Sequence, residues 1–135
     1  MSSLLPFSAL DHVGIAVASP DSPLTELLGD PATLKEMPSG VTVGRFGPDT
    51  RLELVAPTRI DSPIERFLER RGPGLHHIAL QVDEPLAAVL ERLEAAGVNA
   101  VGPIEPASDG RPSLFLHPSG TDGVLIELVE GPRPA

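Results

Sequence analysis

The sequence predicts an α+β protein built of two related halves. Three observations carry that expectation: an internal repeat, strands whose apolar side chains alternate with a period of two, and two strongly marked helices. The run Leu10-Asp11-His12-Val13-Gly14-Ile15-Ala16-Val17 parallels Leu75-His76-His77-Ile78-Ala79-Leu80-Gln81-Val82, and Leu52-Glu53-Leu54-Val55 parallels Ile126-Glu127-Leu128-Val129. Superposition sets His12 on His77, 65 residues on, and Glu53 on Glu127, 74 residues on, and a loop insertion in the second copy absorbs the difference.

In the first strand Val13, Ile15 and Val17 share one face, and His12, Gly14 and Ala16 the other. In its counterpart Ile78, Leu80 and Val82 lie on the side of His76, and His77 goes with Ala79 and Gln81. The alternation thus selects His77 as the mate of His12 and leaves His76 a structural role on the apolar side. Further strands are expected over 41–46, 51–55, 98–102, 113–117 and 123–129, each punctuated by Gly, Pro or Asp. In the last, Ile126 and Leu128 face one way, while Glu127 interrupts the other, so its carboxylate needs a partner.

Ser62-Pro63-Ile64-Glu65 carries an N-cap serine, a proline at the first helical position and a glutamate three residues after the cap, predicting a helix that runs to Gly72. Asp83 is the expected cap of a second helix, with Leu86, Val89, Leu90 and Leu93 as its apolar stripe and Gly97 as its stop. In the first half, Ser22-Pro23 starts a helix that Gly29-Asp30-Pro31 ends after about two turns. The Pro-rich tail from Gly131 is expected to fray.

At 135 residues the two copies are expected to fold together, because each alone is near the lower limit for a hydrophobic core. A net charge of −9 and only four aromatic residues argue against a nucleic-acid partner. No apolar run approaches the roughly 20 residues of a membrane-spanning helix. The N-terminus does not read as a signal peptide, so a cytoplasmic protein is the default expectation. Without cysteine there is no thiolate nucleophile and no cysteine-based metal site.

Two histidines and two glutamates related by a repeat suggest one symmetric metal site. Imidazole and carboxylate donors together suit a borderline divalent ion such as Co, Zn, Mn, Ni or Fe(II) better than Ca²⁺. Taken singly, each residue has an ordinary structural explanation; the duplication is what points to a metal. Arg45, Arg51 and Arg111 are candidate binders of phosphate or carboxylate, and His117 ends a strand where it either lines a cavity or meets solvent.

Several of these segments resemble the methylmalonyl-CoA epimerases of the vicinal oxygen chelate superfamily. The resemblance rests on Leu10–Val17, on Asp61-Ser62-Pro63-Ile64-Glu65-Arg66-Phe67-Leu68, on Gly74-Leu75-His76-His77-Ile78-Ala79, and on Phe115-Leu116-His117-Pro118 followed by Gly123-Val124-Leu125-Ile126-Glu127-Leu128. It covers residues 10–130 except about 18–40, and implies one domain over 1–135. Two paired βαβββ modules, about 8–58 and 74–130, would form a cup-shaped mixed sheet around the metal, with a linker helix over 62–71 and a shortened helix in the first module. The implied ligands are His12, Glu53, His77 and Glu127; the implied substrate is an acyl-CoA, and the implied assembly a homodimer.

Such an enzyme removes a proton from the carbon between a thioester and a carboxylate and returns it on the other face. It therefore needs two acid/base groups. Glu127 matches one. The second family glutamate maps onto Pro38 in Glu36-Met37-Pro38-Ser39-Gly40-Val41, leaving Glu36 as the candidate replacement. Ser113 is a candidate contact to the substrate carboxylate, alongside Arg111 and His117. Two alternatives share the fold: a glyoxalase I-like lyase using a similar ligand set, and a non-catalytic ligand-binding protein of the bleomycin-resistance type. A ring-cleaving dioxygenase fits least, because that chemistry uses two His and one carboxylate and keeps positions open for oxygen.

Overall fold

A computed structural model describes residues 3–47 and 49–134. The chain divides into two compact units, His12–His76 and the pair of segments Met1–Asp11 and His77–Ala135.

In the first copy, β1 (Ala9–Ala16) is followed by α1 (Pro23–Leu28), β2 (Thr33–Met37), β3 (Val41–Arg45), β4 (Leu52–Pro57) and the linker helix α2 (Pro63–Arg71). The strands lie in the order β2-β3-β4-β1. β1 runs parallel to β4, and both other pairs are antiparallel. The second copy repeats the plan with β5 (Gly74–Val82), α3 (Leu86–Ala95), β6 (Ala100–Pro106), β7 (Pro112–Leu116) and β8 (Ile126–Glu130), in the order β5-β8-β7-β6. Again the first and last strands of the module are parallel partners. Both halves are therefore βαβββ modules in an α+β fold.

Apolar periodicity explains how each helix docks. Leu86, Val89 and Leu93 of α3 pack on Leu80, Val82, Leu114, Leu116 and Leu128, which alternate onto one face of β5, β7 and β8. In the other unit Leu24 of α1 joins Val17, Leu54 and Ala56. On the opposite face of that sheet, Ile64, Phe67 and Leu68 of α2 cover Ala16, Val41 and Val55. The short α1 ends at Gly29, whose φ of 91° favours glycine. For α2 the cap forms as expected: the Glu65 N–H donates to Ser62 Oγ at 3.2 Å, and Glu65 Oε2 accepts from the Asp61 N–H at 2.9 Å.

Three details depart from the sequence expectation. Asp83 does not cap α3, which begins after Pro85; its first N–H, on Leu86, donates to Glu130 Oε1 from the end of β8 at 2.8 Å. The proline disfavours helical backbone at Glu84, so Asp83 is left outside the helix. Residues 33–37 form a strand, where no strand is read from their sequence. The turn that follows uses Pro38 and Ser39, closes with the Gly40 N–H on the Met37 carbonyl, and has φ of +85° at Gly40. Finally, β6 runs beyond its expected end at residue 102 to Pro106, with a register shift between Val101 and Glu105 that accommodates Gly102 and Pro103 on a strand with only one neighbour.

Candidate metal and substrate site

Each unit buries one histidine against one glutamate. In the first, His12 Nδ1 stands 3.0 Å from Glu53 Oε2, and both side chains are almost fully shielded from water. Strand geometry makes this pair: Glu53 lies on β4 opposite Gly14 of β1, and His12 shares the face of Gly14. The small side chains of Gly14 and Ala16 leave room above that face. Cross-strand register also sets Arg45 of β3 opposite Glu53, with Nε at 3.8 Å from Oε2.

In the second unit His77 Nε2 lies 3.3 Å from Glu127 Oε1, and this pair is as buried as the first. Glu127 pairs with Ala79 on one side and Phe115 on the other, so its carboxylate shares a face with His77. The Phe115 ring stands edge-on to the His77 imidazole, with centroids 5.3 Å apart. A buried carboxylate requires a compensating partner, and an imidazole supplies one. The same oxygen and nitrogen donors suit a borderline divalent cation, so the four residues fit the ion that the repeat suggests. His76, as its alternation predicts, has a packing role: its ring meets Phe67 edge-on at 4.8 Å.

Other expected site residues are placed differently. Glu36 lies on β2 opposite Thr42, which in turn faces Ala56 on β4; this row belongs to the sheet face opposite Glu53. Its side chain is exposed there. Glu36 is therefore not a second acid/base, and strand parity is the reason. The residue that shares the Glu53 face on β2 is Lys35, which pairs with Val43 and, beyond it, Val55.

Arg111 is not a ligand-binding arginine. Its terminal nitrogens donate to the two oxygens of Asp11 at 2.9 and 3.1 Å, its remaining donors engage Asp109 and the Gly131 carbonyl, and all five N–H groups are used. Burial opposes the charge, but the hydrogen bonds from Asp109 and Asp11 outweigh it and raise the guanidinium pKa further. Asp11 is fully buried, also accepts from Gln81 Nε2 at 2.9 Å, and has Arg133 Nε at 3.8 Å. Nothing in the sequence marks Asp11 and Arg111 as partners, since a hundred residues separate them.

Ser113 is on the Glu127 face of β7, but its hydroxyl donates to the Glu105 carbonyl at 3.0 Å. His117 is exposed and uses Nδ1 to accept the Ser119 N–H at 3.1 Å, capping a short 3-10 helix over Pro118–Gly120. Arg51 is exposed, and its carbonyl accepts the Val13 N–H at 2.8 Å. Among the described residues no helix is long and apolar enough to cross a membrane.

Residues 11–115 match the family model of the Glyoxalase/Bleomycin resistance protein/Dioxygenase superfamily, and the chain belongs to that superfamily. Within it, the resemblance is to methylmalonyl-CoA epimerases. The chain is 40% identical to the ethylmalonyl-CoA/methylmalonyl-CoA epimerase of Cereibacter sphaeroides, over 90% of this chain and 96% of that protein. The crystal structure of methylmalonyl-CoA epimerase from Mycobacterium tuberculosis superposes with a TM-score of 0.81 at 34% identity, covering 99% of this chain and 94% of that one. A Streptomyces coelicolor methylmalonyl-CoA epimerase variant in complex with 2-nitronate-propionyl-CoA superposes with a TM-score of 0.80 at 27% identity, covering 93% and 96%.

Proposed function

We propose that this protein is a metal-dependent epimerase of a 2-substituted malonyl-CoA, methylmalonyl-CoA in the first instance. The observation that carries the reading is the duplicated buried pair, His12 with Glu53 and His77 with Glu127, in a chain so similar to epimerases along its length. These four residues would hold one divalent ion (Co, Zn, Mn or Ni). When bound, that ion supplies Lewis-acid stabilisation of negative charge developing on the substrate's oxygens.

The chain's own groups do the proton work. The hydrogen on the carbon between thioester and carboxylate is weakly acidic, and a buried carboxylate is a stronger base toward it than a solvated one. Glu127 is the base for one stereoisomer. Because Glu36 points away from this face, the second proton transfer falls to the carboxylate that the repeat relates to Glu127, namely Glu53. Low exposure at both glutamates keeps water from competing for the proton. Homodimeric assembly and a cytoplasmic location belong to the same reading.

The test is incubation of metal-loaded protein with methylmalonyl-CoA in D₂O, with metal content measured in parallel. Deuterium at the 2-carbon and one divalent ion per chain are expected. Absence of exchange above background overturns the epimerase reading. Turnover of the methylglyoxal–glutathione hemithioacetal instead would show a glyoxalase I-like lyase, and binding of neither metal nor thioester a sequestering protein.

A further inference from the structure

We propose that Arg45 is the residue that recognises the substrate's free carboxylate, with Lys35 beside it, and so sets the preference for malonyl-type over simple acyl thioesters. The proposal deepens the epimerase reading and rests on it for the identity of the ligand.

Four observations converge on Arg45. Its Nε is 3.8 Å from Glu53, beyond hydrogen-bonding distance, whereas His12 approaches the same oxygen to 3.0 Å, so His12 is the close partner of Glu53 and Arg45 stands at its flank. The Arg45 side chain is 20% exposed against 8% for Glu53, which makes the guanidinium the more open of the two groups. A guanidinium has two edges suited to carboxylates, and Glu53 lies against the Nε one.

Charge placement points the same way. Seven of the ten cationic side chains lie in His12–His76. The three arginines of the other unit each meet a carboxylate: Arg92 meets Glu84, Arg111 meets Asp11 and Asp109, and Arg133 faces Asp11. Lys35 is the sole lysine of the chain and sits diagonally from Arg45 across the β2–β3 pair, on the Glu53 face, at about 7–8 Å by strand geometry. Two cations thus flank the buried glutamate on one face of a sheet in a protein of net charge −9.

The chemistry gives them a purpose. In a 2-substituted malonyl thioester the carboxylate is attached to the carbon that loses its proton, so a group that binds the carboxylate must lie close to the group that takes the proton. Arg45 meets that condition with respect to Glu53. A second negative charge develops as the proton leaves, and a cation already seated on the carboxylate opposes its build-up less than bulk water would.

The experiment compares binding of methylmalonyl-CoA and propionyl-CoA, which differ by the carboxylate alone, to metal-loaded wild type, Arg45→Met, Arg45→Lys and Lys35→Met, with unfolding midpoints as a check on folding. Wild type should prefer methylmalonyl-CoA at least tenfold. Arg45→Met should bring the ratio close to one while leaving propionyl-CoA affinity unchanged, Arg45→Lys should restore part of it, and Lys35→Met should lower it less than Arg45→Met. A ratio retained in Arg45→Met overturns the proposal, as does an equal loss for both thioesters, which would mean that Arg45 acts only through Glu53. Wild-type deuterium exchange on the same samples separates the two claims. A collapsed ratio without exchange removes the epimerase reading and leaves the carboxylate site standing, whereas exchange with an unaltered ratio removes the carboxylate site alone.

Discussion

Arg111 takes hold of both oxygens of Asp11 at 2.9 and 3.1 Å, from the loop before β7 to the buried side of β1. The same guanidinium secures Asp109 and the Gly131 carbonyl, so one side chain ties the start of the chain to its last described segment. Removing one member of such a pair strands a charge where water cannot reach it. Asp11→Ala should therefore cost about 3–5 kcal/mol, seen as a lower urea midpoint. Arg111→Lys should recover little of this, because an ammonium cannot form the planar two-point contact.

Glu36→Gln should leave deuterium exchange within about twofold of wild type, since its side chain is exposed on the face opposite Glu53 and surface substitutions change little. A large loss of exchange with folding intact would restore Glu36 as an acid/base group.

Glu53→Gln and Glu127→Gln should separate the two directions of epimerisation. Each variant is expected to stay folded, hold metal more weakly and lose exchange from one stereoisomer of methylmalonyl-CoA by at least about a hundredfold, in the range general acid/base groups contribute. Single-isomer assays in D₂O at saturating metal read this out, and equal losses from both isomers in both variants would contradict the division of labour.

Glu130→Ala should destabilise the fold by about 1 kcal/mol, because the Leu86 N–H at the head of α3 loses its acceptor. Glu130→Gln should recover part of that, and Asp83→Ala should have no comparable effect. Chemical denaturation of the three variants checks the assignment.

Much of the fold was legible from local pattern. Alternation over 76–82 separated His77 from His76, and the structure keeps that division: His76 packs on Phe67, while His77 meets Glu127. Ser62, Pro63 and Glu65 announced α2 because capping depends on neighbours in sequence. The strand over 33–37 was not legible. Its residues are largely exposed and carry no clean apolar alternation, so it exists by pairing with β3 rather than by its own preference.

What the sequence determined by itself was the doubled His and Glu, because a repeat and a two-residue period are local facts that survive without knowledge of the fold. What only the tertiary structure decided was which charged groups accompany them. Arg111 looked available in sequence and is consumed by Asp11 and Asp109, Glu36 looked like the spare acid and faces away, and Arg45 and Lys35 share the face of Glu53. The reason is strand register: moving a residue by one position along a strand transfers its side chain to the other face, and register is set by pairing with strands distant in sequence.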